Sequence, residues 1–561
     1  MGAETSFSYR GRTAALAKMA EAPADLLIIG GGITGAAIAR EAALRGLSVS
    51  LVGKGDFGGG TSSHSSRLIH GGLRYLEHGD FRLVFEASRE RRVLLNIAPH
   101  LVHPLPFLFP AYRGARVPGW KILAALWLYD LLAAFRNVHA HRWLSRKAAR
   151  RMEPGLREKG LTGAGLYWDA QADDARLTLA TLRAAALAGA QVANYVEVTG
   201  LAKPDGRVKG VAVQDQLTGE TAVIQGKVVV NATGPWVDGM RRLDDPAAPP
   251  LLRPTKGVHV VVPRARIGHT NAITLLSPVD GRVMFILPWG DVSYIGTTDT
   301  DDDVSPDEVR ATGGDVVYLL RSANALFPQA RLAPKDVIST WAGLRPLLAP
   351  EKSATPAQVS REHRVVESAS GLITIAGGKL TTHRVMGRDV VDKVAGRLHG
   401  DDGRAVPGRA ATDHLVLPGG DIADLDVMVE SARGRDIPEP VARHLVKTYG
   451  SESAAVVNLI ERDRTLGRPI IDGRPEVWAE VVHAVEREMA VRLSDVLIRR
   501  THLFYEDPAH GSAAAPPVAR RMAELLGWDR GRETEEIADY LTEVQRAREF
   551  MTSVARASGV S

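Results

Sequence analysis

The feature that most constrains this chain is an apolar run that ends in glycines. Asp25-Leu26-Leu27-Ile28-Ile29 leads into Gly30-Gly31-Gly32-Ile33-Thr34-Gly35, and the alanine-rich Ala36-Ala37-Ile38-Ala39-Arg40 follows at once. Gly30, Gly32 and Gly35 spell G-x-G-x-x-G after a strand and at the opening of a helix, the context in which the motif binds a dinucleotide. The first glycine permits the tight turn, the second lets the backbone approach a pyrophosphate, and the third lets helix and strand pack closely. Amide groups at the helix start then face the phosphates. A second strand over Leu47–Val52 completes the unit.

That second strand carries a departure. A dinucleotide fold usually places Asp or Glu at its end, roughly 20 residues beyond the glycines, to bind the adenosine ribose. Here the position is Gly53, followed by Lys54-Gly55-Asp56. Either Asp56 or a backbone group holds the ribose, or Lys54 meets a 2′-phosphate and the cofactor is NADP. The glycine motif alone does not separate FAD from NADP.

Three further stretches favour a flavin. Thr61-Ser62-Ser63-His64-Ser65-Ser66 and His70-Gly71-Gly72 are dense in hydroxyls and glycines, which approach phosphate or an isoalloxazine where bulky side chains would block it. Lys227–Asn231 reads as a buried strand that ends in the small-residue turn Ala232-Thr233-Gly234-Pro235. Leu372–Ala376 enters Gly377-Gly378, and a helix is expected from about Lys379 through Leu380 and Thr381. Its N-terminal dipole would stabilise negative charge on a reduced ring, which an NADP enzyme does not need. The chain has no cysteine, so disulfides, thiolate metal sites, iron–sulfur clusters and a cysteinyl flavin are excluded. The flavin is expected to be non-covalent FAD. No His/Asp/Glu set has metal-ligand spacing, and no metal is expected.

The run Thr61-Ser62-Ser63-His64-Ser65-Ser66-Arg67-Leu68-Ile69-His70-Gly71-Gly72-Leu73-Arg74-Tyr75-Leu76-Glu77, continued by His78–Val84 and Ala98-Pro99-His100, resembles the signature of FAD-dependent sn-glycerol-3-phosphate dehydrogenases. That is the aerobic, quinone-reducing branch of the glycine/D-amino-acid oxidase-like superfamily. Glu488–Ala490, Asp495–Thr501 and Leu526–Asp529 resemble its C-terminal helical domain. The resemblance implies an α/β, two-dinucleotide-type FAD-binding fold with an interleaved β-rich substrate cap and an all-α C-terminal domain. The expected boundaries are a tail over 1–23, the FAD-binding domain with its cap over 24–400, a linker over 401–418 and the helical domain over 419–561. The β-rich cap is expected at about Leu251–Arg364, with one helical stretch over Ser305–Phe327.

A flavin that oxidises a secondary alcohol needs the carbinol carbon near the ring, a base for the hydroxyl proton and a clamp for any anionic end. Phosphate is best gripped by Arg forks and Lys, with Tyr adding a hydroxyl. The resemblance places Arg74, Tyr75, Arg345, Arg361 and Lys379 at the substrate, and Arg345 and Lys379 also among the catalytic groups. His259 opens a strand after a glycine and is the expected base, its ordinary pKa near 6.5 suiting neutral pH. Asp299, in Gly296-Thr297-Thr298-Asp299-Thr300, is placed to orient a cation. His383 stands where the family commonly has Tyr.

The expected reaction is oxidation of glycerol 3-phosphate to dihydroxyacetone phosphate, with electrons passed to a membrane quinone. The alternatives are an oxidase that uses oxygen, another FAD-dependent amine or hydroxy-acid oxidase and, most distantly, a non-enzymatic FAD-stabilised scaffold. The 561 residues carry 70 basic and 65 acidic side chains, a net charge of +5 that permits adhesion to an anionic surface without demanding it. No nucleic-acid motif is present. Gly119–Phe135 is apolar but short for a span and interrupted by Asp130; it is expected to be a buried helix, with an interfacial helix as the second reading. The expected location is cytoplasmic, peripheral on the cell membrane, as a homodimer.

Overall fold

The structure, a computed structural model, describes residues 7–134, 137–301, 304–349 and 362–557. Among these residues two sheets organise the chain. In the first, parallel strands run in the order Ile373–Gly377, Thr221–Asn231, Ala24–Ile29, Val49–Val52 and Gln191–Ala193, with His363–Glu367 antiparallel outside Ile373–Gly377. Leu26, Leu27 and Ile28 are fully buried in the central strand, which is why it reads as an unbroken apolar run. Helices Ile33–Leu44, Asp174–Leu187 and His383–Asp402 cover one face. A Cβ at Gly35 would lie 1.9 Å from the Gly30 carbonyl oxygen, so only glycine lets the first helix dock on its strand.

The opposite face is covered by the antiparallel strands Val196–Ala202 and Gly210–Asp215 and by a helix, Tyr9–Glu21. This helix corrects the expectation of a tail over 1–23. Ser8 caps it by accepting the Gly11 N–H at 3.0 Å, and buried Arg12 forks onto Asp215 at 2.7 and 3.0 Å. Its burial rests on that ion pair and on Ala15 and Met19 rather than on a continuous apolar stripe, so its sequence signal is weak.

The second sheet has ten strands and forms the cap. It draws on Leu68–Ile69, Val102–Tyr112, Arg142–Ser145 and Leu161–Ala172 as well as on strands between Thr255 and Arg345, so the cap is more interleaved than the expected 251–364 block. Val102–Tyr112 carries Pro104, Pro106 and Pro110, which obscure it as a strand. The three sit at alternate positions, so their missing N–H groups fall on one edge. The cap helix is Gly313–Leu326, started by a capping box between Thr312 and Asp315.

The 401–418 segment has little regular structure beyond the end of helix His383–Asp402, yet it is packed and not a free linker. Thr412 and Leu417 are buried, and the Thr412 hydroxyl donates to Glu41 at 2.8 Å. Beyond it the helices include Leu425–Arg433, Glu439–Tyr449, Trp478–Arg487, Ala515–Leu526 and Arg530–Ala557. Buried ion pairs fasten this domain to the first sheet. Arg500 forks onto Asp56 at 2.6 and 2.9 Å, and Arg176 forks onto Glu488 at 2.5 and 2.8 Å.

Candidate active site

Two cavities adjoin where the sheets meet. The first, about 840 Å³, runs from the glycine turn past Gly53 and is lined by Gly30, Gly32, Thr61, Ser62, Thr233, Gly234 and Gly377. The second, about 880 Å³, lies under the cap and is lined by Ser66, His70, Gly72, Tyr75, His259, Arg345 and Thr381. Gly378, Lys379 and Leu380 line both. Local chemistry explains this convergence. Gly377 and Gly378 take φ of +80° and +85°, which turns the chain from strand Ile373–Gly377 into the Leu380–Thr382 turn and helix His383–Asp402. Helix Ile33–Leu44 points its first turn at the first cavity, where Ser62 Oγ accepts the Ile33 N–H at 3.0 Å.

These residues fit FAD. The glycine turn and Gly234, where an added Cβ would meet nothing within 4 Å, leave the first cavity open for a dinucleotide. Gly378 and Lys379 bring a helix start to the junction with the second cavity. Residues of the C-terminal domain, Arg499, Phe504 and Tyr505 among them, also line the first cavity, a contribution the sequence reading missed. Their positions, more than 400 residues from Asp56, leave no local signal.

Some expected cofactor residues serve the walls instead. Gly35 lies in the helix–strand contact and Ser63 is buried behind the lining. Gly71 packs on Tyr129, where a Cβ would fall 2.4 Å from the phenolic oxygen. Its N–H donates to Tyr129 Oη and Asp169, and Tyr129 donates to Asp169 at 2.6 Å; this buried set fixes the 69–72 segment behind the cavity. The two candidates for the ribose are also engaged. Asp56 is held by Arg499 and Arg500, whose guanidinium groups bring its carboxyl down to about 2 despite full burial. Lys54 pairs with Asp307 at 2.6 Å and lies over the Trp236 ring.

His259 lies in strand Thr255–Pro263, opposite Gly296 and Trp341. A Cβ at Gly296 would fall 2.0 Å from the imidazole, so glycine there makes room for the ring. The ring stacks on Trp341 at 5.0 Å, Nε2 lies 2.9 Å from Ser66 Oγ, and Nδ1 has no hydrogen-bond partner among the described residues. Burial, with Arg345, Arg67 and His64 nearby, pushes its pKa well below 6.5. The imidazole is therefore neutral at physiological pH, and its titration lies below the ordinary histidine range expected from the sequence.

Arg345 ends strand Ser339–Arg345 and is firmly held. Nη1 donates to Asp299 at 3.0 Å, and Nη2 donates to Thr297 Oγ1 at 2.9 Å and to the Thr298 carbonyl at 3.0 Å. Asp299 thus contacts the cation as expected. Lys379 Nζ lies 3.7 Å from the centre of the Tyr75 ring, a cation–π contact, and Tyr75 in turn stacks on His70. Arg361 and the side chain of Arg74 lie outside the described residues. His383 is buried, its Nδ1 2.7 Å from the Leu380 carbonyl, and faces neither cavity.

Much of the lining of the second cavity is apolar, Leu73, Leu76, Phe109, Val117, Ala125 and Leu128 among it. Helix Gly119–Leu132 roofs it and is not the buried helix expected. Ile122, Leu126 and Tyr129 face inward, while Trp120, Trp127 and Leu131 are 67%, 57% and 59% exposed. Phe81 and Phe85, on the packed neighbour Phe81–Ile97, are also about half exposed. No helix among the described residues is long and apolar enough to cross a membrane.

Comparison with known proteins agrees with this geometry. Residues 25–393 match the family model of FAD dependent oxidoreductases, and residues 410–533 match the C-terminal domain of alpha-glycerophosphate oxidase. The chain is 39% identical over 530 residues to glycerol-3-phosphate dehydrogenase 2 of Mycobacterium bovis, covering 93% of this chain and 88% of that protein. It is 36% identical over 538 residues to the aerobic glycerol-3-phosphate dehydrogenase of Staphylococcus haemolyticus, covering 94% and 95%. The crystal structure of the glycerol-3-phosphate dehydrogenase from Bacillus halodurans complexed with FAD superposes with a TM-score of 0.81 at 33% identity, covering 96% of this chain and 98% of that one. With its glycine-lined cleft, cap and helical C-terminal domain, the chain belongs to the FAD-dependent glycerol-3-phosphate dehydrogenase family.

Proposed function

We propose that this protein oxidises sn-glycerol 3-phosphate to dihydroxyacetone phosphate and delivers the electrons to a quinone while docked peripherally on a membrane. The observation that carries the reading is the meeting of a neutral buried imidazole, His259, with Arg345 and Lys379 in a cavity that adjoins the dinucleotide cleft. Bound FAD supplies the hydride acceptor. His259 is neutral and so able to take the proton of the substrate's secondary hydroxyl. Its contacts with Ser66 and Trp341 fix the ring plane before substrate arrives. Arg345, locked by Asp299 and Thr297, and Lys379, at the start of a helix, provide fixed positive charge for the phosphate. The apolar lining contributed by helix Gly119–Leu132 and the exposed Trp120, Trp127 and Leu131 on the same helix support a lipid-facing entrance for a quinone ring. Arg116 and Lys121, which line the same cavity, would sit at the headgroup level.

The second reading, oxygen as acceptor, is favoured by the match of the C-terminal domain to that of alpha-glycerophosphate oxidase. One two-step experiment tests both. Anaerobic mixing with glycerol 3-phosphate should bleach the flavin absorbance, and a short-chain quinone should restore it faster than air-saturated buffer does. Faster recovery in air assigns the oxidase, and failure to bleach removes the substrate assignment.

A further inference from the structure

The adenosine end of the cleft lacks its usual acid. Gly53 directly follows strand Val49–Val52, and a Cβ there would lie 3.2 Å from Gly31 N and 3.4 Å from Gly31 Cα, against the backbone of the glycine turn. Two strands clasp this position: the Gly53 N–H donates to the carbonyl of Ala193, the last residue of the parallel strand Gln191–Ala193, at 3.1 Å, and the Gly53 carbonyl accepts the N–H of Val196, the first residue of strand Val196–Ala202, at 2.8 Å. Glu197 follows directly and lines the same cleft.

Among the described residues the cleft is lined by the carboxylates of Asp56, Glu197, Asp307 and Glu543. Asp56 is bound by Arg499 and Arg500, Asp307 by Lys54, and Glu543 by Arg546. Glu197 is half-buried and accepts one neutral hydrogen bond, from Gln216 Nε2 at 3.2 Å. It is the lining carboxylate whose charge no cation of the described residues takes up. A carboxylate at the rim of a nucleotide cleft, one residue beyond the clasp on the ribose position, is suited to accept from vicinal hydroxyls.

We propose that Glu197, the second residue of strand Val196–Ala202, supplies the carboxylate that accepts the adenosine ribose hydroxyls of FAD in place of the acid the fingerprint ordinarily carries at the Gly53 position. The assignment rests on FAD as the cofactor and is independent of the substrate and of the electron acceptor. It also explains how the chain tolerates Gly53: the acid stands on strand Val196–Ala202, whose first residue bonds the Gly53 carbonyl.

The test is FAD affinity, read by fluorescence quenching as FAD is titrated into FAD-depleted full-length protein. Glu197→Gln and Glu197→Ala should each weaken FAD by about tenfold or more, the scale of a lost charged hydrogen bond. The absorption spectrum of the bound flavin and the Tm of the depleted protein should be unchanged. Binding of FMN, which lacks the adenosine, should be equal in the wild type and both variants. Wild-type FAD affinity in the variants overturns the proposal. A parallel loss of FMN binding, or a lower Tm without cofactor, overturns it as well, because Glu197 would then shape the cleft and not hold the ribose.

Discussion

His259→Gln separates the chemistry of the base from its packing. Glutamine keeps a polar group within reach of Ser66 Oγ but has no basic nitrogen, and it loses the stack on Trp341. The lost stack costs about 0.5–1.5 kcal/mol, small enough for the variant to fold. General-base catalysis contributes about 10²–10⁴ in rate, equal to about 2.7–5.5 kcal/mol at 1.36 kcal/mol per decade. The depressed pKa makes His259 a weak base, so the lower half of that range applies. The rate of flavin reduction, followed by anaerobic stopped flow, should fall by about 10²–10³ while the KM for glycerol 3-phosphate changes little. The pH profile carries a second, independent check. Only the neutral ring accepts a proton, and burial keeps it neutral to well below pH 6.5. The wild-type reduction rate should therefore be flat from pH 6.5 to 8 and fall only below that range, and His259→Gln should lose the falling limb. Because the folded pKa lies below the unfolded one, the buried neutral ring also withdraws stability as pH drops through 6.5. Wild-type reduction rates in the variant, or a limb centred above pH 6.5, would leave His259 as a packing residue and not the base.

Asp299→Asn should raise the KM for glycerol 3-phosphate about tenfold with a smaller fall in kcat, since it frees Arg345 without removing it; Arg345→Ala should raise KM further, and the slow turnover of glycerol, which lacks the phosphate, should be nearly the same in both. Asp56→Asn removes the carboxylate shared by buried Arg499 and Arg500, leaving Asp495 beside the first and Glu488 beside the second, and should cost about 3 kcal/mol, seen as a lower Tm by calorimetry. The Asp56 pair also sets an acid limit. Its carboxyl is lowered to about 2 from 3.8, so its contribution of about 2 kcal/mol is complete above pH 4 and is lost as pH falls from 4 through 2. Replacing Trp120 and Trp127 together by Glu should abolish co-sedimentation with anionic vesicles while anaerobic flavin reduction by glycerol 3-phosphate stays at the wild-type rate; vesicle binding at wild-type strength would move the docking surface elsewhere.

The parts of the site legible in the sequence are those that act through the local backbone. Gly30, Gly32, Gly234, Gly377 and Gly378 are set by the turn each must make or the space it must leave, and strand-to-helix context is enough to place them on one cleft. His259 and Arg345 also meet at one cavity, but their neighbours come from register: Gly296 and Trp341 flank His259 because of strand pairings that no short window encodes. The same limit hid helix Tyr9–Glu21, whose docking hangs on the Arg12–Asp215 pair 203 residues apart, and the proline-broken strand Val102–Tyr112. For Gly119–Leu132 composition misleads in the other direction. A helix apolar on every side reads as buried, yet only one side meets the protein.

Asp56 shows how the two domains depend on each other. Read locally, an acid three residues past the ribose position is a ribose ligand. Its partners are Arg499 and Arg500, 443 and 444 residues away, so its charge is spent on docking the helical domain. That same docking carries Arg499, Phe504 and Tyr505 to the wall of the cofactor cleft. With Asp56 committed to this lock, Glu197 is the lining carboxylate the cleft leaves without a cation among the described residues. The consequence is directional. Loosening the lock by Asp56→Asn should weaken FAD together with the stability of the protein, whereas Glu197→Ala should weaken FAD alone. If both variants lower the Tm of the FAD-depleted protein equally, adenosine binding and domain docking are one function and not two.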